Sequence, residues 1–462
     1  MNKDEGVRCV LMKVVSEGLS HFSYFVGNGR TAFVVDPRRD VEAYLDLAKR
    51  NEMNITHILE THRNEDYVIG SQELVERTGA KVLHGAGLPW RYGEIAKDGM
   101  RVRFGDLLLE ALSTPGHTYE SMSYVLRDGD TEEPLAVFTG DALFVGEVGR
   151  TDLAGPSERE RLSELLFASL HDRILPLGDS VILAPAHGGG SVCGGDISER
   201  DISTLGVERK TNPRLQMPRK DFVRFKMKER IERPPYFSRM EAMNLGHAPL
   251  SGMPEPKGMA PKEFAAAKGK GGFVVDTRFP HSYAGAHIDG ALSIWIDGIP
   301  VYAGWLVPYD RPLLLVVEDP IQVERLVRMF VRLGFDYVAG YLRGGMVQWY
   351  REGLAYTTLP TMDVKQLQKE MSEGDVFVLD PRPYGEWAEV HLKEANHLFV
   401  GELASNLDKV PRDKPVASMC SVGFRGSMAA GILRDHGYRN VRIVLGGVSG
   451  WEASGFEVEK GD

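Results

Sequence analysis

The chain has 462 residues, 43% of them hydrophobic and 26% charged, with a formal net charge of −10. That length asks for two to four domains rather than a single core. The acidic balance leaves no electrostatic footprint for nucleic acid or an acidic membrane surface, and no apolar run approaches the ~20 residues of a membrane span.

Cys9, Cys193 and Cys420 lie too far apart to spell a disulfide framework, so a reducing cytoplasm is the expected compartment. The opening MNKDEGVRCVLMKVV is charged and then alternates, which predicts a first strand rather than a secretory leader. TAFVVDP from Thr31 reads as a strand, and Val41 to Asn51 as an amphipathic helix. The next strand belongs to ITHILETHRNEDYVIG, residues 55–70, completing a βαβ start. Its apolar run (Ile55, Ile58, Leu59) stops at Thr61 and His62, which predicts a histidine delivered to the carboxyl rim of a sheet, where open α/β folds keep their sites.

A helix near 71–78 and strands near 80–83 and 106–113 lead to TPGHT. Strands near 124–127 and 135–139 follow, the latter closing on Gly140-Asp141, and then a helix near 157–169 and a strand near 180–184 closing on PAHGGG. His62, His117, Asp141 and His187 thus each follow a predicted strand. Any one histidine is more simply a satisfied core or loop residue, whereas the whole set at strand ends points to a metal.

Residues 198–257 are charged and Pro-rich and read as helices and connector; the basic run Arg219 to Arg233 reads as a solvated face. Beyond them lies an internal repeat. FVVDTRFPHSYAGAHIDGA at 273–291 matches FVLDPRPYGEWAEVHLKEA at 377–395, pairing Asp276 with Asp380 and His287 with His391. YLRGGMVQW at 341–349 matches VLGGVSGW at 444–451. In the second copy, VASMCSVGFRGSMAAGIL places Cys420 after a short strand, with a helix predicted over Ser427 to Leu433. Ser421, Val422, Gly423, Phe424 and Gly426 would form a loop whose N–H groups cradle a thiolate and then a persulfide, with Arg425 as a cation facing the sulfur donor. A lone cysteine before a helix is more often inert; the strand-Cys-loop-Arg-helix order inside a repeat favours chemistry. The first copy sets Val317 or Glu318 opposite Cys420 and so has no nucleophile there. Cys193, in HGGGSVCGG, reads as either a relay thiol or an ordinary loop residue.

Residues 8–250 resemble the metallo-β-lactamase fold, an αββα sandwich. The superfamily motif THxHxDH corresponds to Thr61, His62, Asn64, Asp66 and Tyr67, and its later ligands to His117, Asp141 and His187. Asn64 and Tyr67 stand where two histidines would serve a two-zinc hydrolase. Within the superfamily the set resembles the persulfide dioxygenases. That resemblance implies one Fe(II) per chain held by His62, His117 and Asp141, with Asn64, Asp66 and His187 orienting the ligands. Arg150 and Asp152, in VGRTDL, resemble a segment lining the site and form either a substrate anchor or a loop-stabilising ion pair.

Both repeat units resemble rhodanese sulfurtransferases, and Cys-x4-Arg is the short loop suited to sulfur rather than phosphate. The order of parts resembles persulfide dioxygenase–rhodanese fusions, with domains at 1–250, 258–358 (inactive) and 359–462. The implied activity is oxidation of a small persulfide, glutathione persulfide foremost, by O₂ to sulfite. Cys420 would pass sulfur between thiosulfate or sulfite and a thiol, in sulfide detoxification. The alternatives are a zinc thioester hydrolase resembling glyoxalase II joined to a sulfurtransferase, or an inert module attached to a working rhodanese. Self-association through 198–257 is left open by the sequence.

Overall fold

The computed structural model describes residues 9–191, 197–200, 202–374 and 376–461, so Cys193 lies outside the described residues. The chain divides into two compact units: Met1–Met253 with Val331–Gly334, and Pro254–Phe330 with Phe335–Asp462. Among the described residues no helix is long and apolar enough to cross a membrane.

The first unit is built on two sheets. One comprises β1 (Cys9–Ser16), β2 (His21–Asn28), β3 (Thr31–Val35), β4 (Asn54–Leu59), β5 (Lys81–His84) and β6 (Glu94–Ile95) in sequence order. The other comprises β7 (Arg101–Phe104), β8 (Leu107–Ser113), β9 (Met122–Asp128), β10 (Pro134–Gly140), β11 (Ile182–Pro185) and β12 (Ser203–Thr204), again neighbour to neighbour. Alternation along the strands gives each sheet two apolar faces. The inner faces share one core, with Phe22, Tyr24, Phe33 and Leu59 from the first sheet meeting Leu109, Tyr124 and Phe138 from the second.

Helices cover the outer faces. Tyr44, Ala48 and Leu74 lie on the first sheet beside Val34 and Ile58. Leu166, Leu170, Leu205 and Phe222 lie on the second beside Val137 and Leu183. The result is the αββα sandwich. The basic helix Arg219–Lys228 is not simply a solvated face, because it buries Phe222, Val223 and even Lys226, whose ammonium meets Glu229 at 2.6 Å. β2, which the sequence reading passes over, is buried along its whole length, so it carries no polar alternation to mark it.

The second unit holds two parallel five-stranded sheets. The first comprises β13 (Lys257–Met259), β14 (Phe273–Asp276), β15 (Leu292–Ser293), β16 (Leu313–Val316) and β17 (Val338–Leu342), in the order β13-β17-β16-β14-β15. The second comprises β18 (Thr361–Met362), β19 (Phe377–Asp380), β20 (Ala395–His397), β21 (Val416–Ser418) and β22 (Val441–Val444), in the order β18-β22-β21-β19-β20. The permutation is identical, so the repeat seen in the sequence is a repeat of topology. Register settles which residue replaces the cysteine. Asp276 pairs with Val316, and Leu379 with Ser418; since Asp276 corresponds to Asp380, Val317 occupies the place of Cys420. It is a buried apolar side chain.

Candidate metal centre and cysteine loop

The strand ends of the first unit converge. His62 follows β4 of one sheet, while His117 follows β8 and Asp141 follows β10 of the other. His62 Nε2 or Nδ1, a His117 ring nitrogen and an Asp141 oxygen all lie within 4.8 Å of one another, and the three residues are buried. The turns that deliver them need glycine. Gly116 has φ 148°, and a Cβ there would lie 2.4 Å from the Leu166 backbone; only glycine allows that approach.

Hydrogen bonds fix which nitrogen faces the cluster. Asp36 accepts from the Thr61 hydroxyl at 2.7 Å, so that hydroxyl accepts from His62 Nδ1 at 2.9 Å. His117 Nδ1 donates to the Arg150 carbonyl at 3.0 Å. Both Nε2 atoms are thereby aimed inward, and neither they nor Asp141 Oδ2 make a hydrogen bond among the described residues. Three lone-pair donors in a buried pocket constitute a site that a divalent cation satisfies, and the residues fit one.

Asp141 is held from behind. Its Oδ1 accepts from His187 Nδ1 at 2.7 Å, and His187 Nε2 reaches Asp66 Oδ2 at 2.9 Å. Burial disfavours the His187 cation, but the two carboxylates outweigh it and raise its pKa well above the ordinary value. Burial likewise works against an ionised Asp141, yet His187 and the neighbouring imidazoles keep it well below the usual carboxylate range.

Glu65 is a participant the sequence reading missed. Its Oε1 lies 3.2 Å from His117 Nε2 and its Oε2 3.8 Å from His62 Nε2, with the side chain 1% exposed. Burial alone would lower the pKa of His117; Glu65 and Asp141 reverse that and lift it to about 9. A cation taking this nitrogen therefore displaces a proton. The only hint in the sequence is a third polar residue between Asn64 and Asp66, in what looks like a spacer. Asn64 donates from Nδ2 to the His62 carbonyl at 3.3 Å. Tyr67 is turned elsewhere, its ring 4.0 Å from that of His21. Arg150 is fully buried, grips Asp152 at 2.7 and 2.8 Å and donates to the Glu232 carbonyl at 3.3 Å.

In the second unit, Cys420 is 1% exposed and its Sγ accepts from the Gly423 N–H at 3.1 Å. The chain after β22 ties off the loop's carbonyls: Gly446, Val448 and Ser449 donate to Val422, Cys420 and Ser421. The helix begins at Phe424 and runs to Asp435, so Phe424, Arg425 and Gly426 form its first turn and not the loop. Arg425 differs from expectation in its company. Glu386 clamps its guanidinium through both carboxylate oxygens, Ser421 Oγ accepts from it at 2.8 Å, and the Tyr302 hydroxyl hydrogen-bonds it from the first repeat.

Residues 17–187 match the metallo-beta-lactamase superfamily, and residues 260–352 and 363–454 each match the rhodanese-like domain. The bovine mitochondrial persulfide dioxygenase ETHE1 is 29% identical over 230 residues, covering 46% of this chain and 78% of that protein. The human counterpart is 29% identical over 235 residues, covering 46% and 80%. A crystal structure of a metallo-beta-lactamase from Staphylococcus aureus subsp. aureus COL aligns at 25% identity with a TM-score of 0.64, over 72% of this chain and 99% of that one. The first unit therefore carries a domain of the metallo-β-lactamase superfamily and the second carries two rhodanese-like domains. More narrowly, the chain is a fusion of a persulfide dioxygenase homologue with a rhodanese pair.

Proposed function

We propose that the chain oxidises the sulfane sulfur of a small thiol persulfide, glutathione persulfide foremost, and separately transfers sulfur through Cys420. The supporting observation is the meeting of His62, His117 and Asp141 in a buried pocket of a domain homologous to the persulfide dioxygenases. The net reaction is RSSH + O₂ + H₂O → RSH + sulfite + two protons. A single Fe(II) held by these three residues would supply the redox capacity and the open positions at which O₂ and a sulfur anion meet. His187, Asp66 and Thr61 hold the donors in orientation, and Glu65 adds a second buried negative charge that favours a cation there.

On this reading domain 1–250 oxygenates, 258–358 lacks a nucleophile, and 359–462 carries sulfur on Cys420 between a thiol and sulfite or thiosulfate, in a reducing cytoplasm. Two activities on one chain raise the effective concentration of a shared intermediate. The test is metal analysis of anaerobically purified protein with O₂ uptake on adding glutathione persulfide. About one iron per chain with prompt uptake is expected; zinc without uptake would replace this reading with the thioester hydrolase. His117→Ala should abolish uptake while Cys420 still takes up sulfur, and Cys420→Ser should do the reverse.

A further inference from the structure

The mouth of the cysteine loop has an unexpected charge. Arg425 is the cation nearest Cys420 in sequence, yet its planar guanidinium is met by the Glu386 carboxylate in the two-pronged geometry that neutralises it most fully. Ser421 Oγ completes the clasp, donating to Glu386 at 3.1 Å and accepting from Arg425 at 2.8 Å. Burial disfavours an ionised Glu386, but the bonds from Arg425 and Ser421 more than offset this and hold its carboxyl below the ordinary range. The Glu386 side chain is 42% exposed while that of Arg425 is 12% exposed, so the acid is the more open partner of the clasp.

Apolar side chains adjoin the clasp, together with the Tyr302 hydroxyl. The Trp295 ring lies 4.8 Å from that of Phe424 and tilted against it, Phe279 lies 6.1 Å from Phe424, and Val422 and Phe279 are exposed. Glu386 belongs to the second repeat; at the corresponding place the first has Ser282, which is consistent with a role tied to the cysteine.

We propose that Glu386 makes the Cys420 loop a filter on donor charge, favouring sulfane sulfur carried on an organic thiol over a small dianion such as thiosulfate. The proposal rests on Cys420 being the sulfur carrier and refines which donor serves it. In the favoured step the Cys420 thiolate attacks the outer sulfur of RSSH. A Cys420–S bond forms as the donor S–S bond breaks, the donor leaves as RS⁻, and the proton stays on the new persulfide. No outside oxidant or reductant is needed. With thiosulfate the same attack expels sulfite, but the donor must first bring two negative charges on one small ion past Glu386, which repels them.

The test uses the full chain and two reagents of one chemistry and similar size, the anion iodoacetate and neutral iodoacetamide, with alkylation of Cys420 followed by peptide mass spectrometry. Glu386→Gln should raise the iodoacetate-to-iodoacetamide rate ratio at Cys420 roughly five- to tenfold. Glu386→Asp, which keeps the charge, should leave the ratio near that of the native chain. Alongside, the ratio of thiosulfate to glutathione persulfide rate constants for loading one sulfur on Cys420 should rise about tenfold in Glu386→Gln. Equal acceleration by both alkylating reagents would mean a loosened loop and would overturn the filter, as would an unchanged ratio. If the native Cys420 alkylates but accepts sulfur from neither donor, the sulfur-carrier reading fails, and the filter on donors fails with it.

Discussion

His187 gives no atom to the trio of donors, yet it is the residue that holds the carboxylate of that trio in place. With Asp141 on one nitrogen and Asp66 on the other, its ring has both directions fixed, and Asp141 Oδ2 is left to point inward. His187→Asn removes one of these bonds and the charge between the two carboxylates. The expected outcome is a 10- to 100-fold loss of metal affinity, by chelator competition, with the fold retained; an unchanged affinity would deny His187 this role. Asp36 acts at one remove further, through Thr61. Burial raises its pKa from 3.8 to about 7, the bonds from Thr61 offsetting only part of the shift. The folded state therefore prefers the protonated acid. Its contribution to stability is full below about pH 4 and is lost as pH rises through 7. Asn tolerates the left-handed backbone at φ 46°, so Asp36→Asn isolates the titration. In denaturant unfolding of metal-free protein, the variant should gain on the native chain between pH 4.5 and 8; a constant difference would refute the shift. The donors were legible in the sequence because each ends a strand. Glu65 and Glu386 were not: one sits in a motif position that reads as a spacer, and the other is 34 positions from the cysteine whose loop residue Ser421 it meets.

The elements place these residues through their ends rather than their middles. Strands of the first unit were readable from apolar runs that stop at Gly, Thr and His, and β8 ended at Ser113 as expected. Two features escaped. β2 has no alternation to read, and the helix at Phe424 starts inside a glycine-flanked stretch that resembles a loop. Whether a turn can bring a side chain into the cluster depends on the helix behind it, which no local pattern reveals. The TPGHT turn is the clearest example, since Gly116 lies against the backbone of the helix Arg159–Ala168. Gly116→Ala should cost about 2 kcal/mol or more in unfolding free energy and displace His117. Near-native stability with full metal binding would show that the turn yields easily.

At the scale of the whole molecule, duplication was the most legible feature, because the same sequence signature recurs and carries the same strand order. Register then showed something alignment left open: a valine fills the cysteine's place in the first copy. In the first unit, the donors come from both sheets of the sandwich, His62 from one and His117 and Asp141 from the other. A bound cation would add a cross-link between two layers already tied by backbone hydrogen bonds, from the Met122 N–H to the Thr61 carbonyl at 2.7 Å and from the Phe22 N–H to the Ala186 carbonyl at 2.6 Å. Metal supply then becomes a folding variable. The thermal midpoint of the native chain should climb with free metal, by a stabilisation of about 4 kcal/mol at a thousandfold excess over Kd, and should stay flat in His117→Ala. A cell short of the ion would thus hold a less stable protein, more open to proteolysis as well as idle.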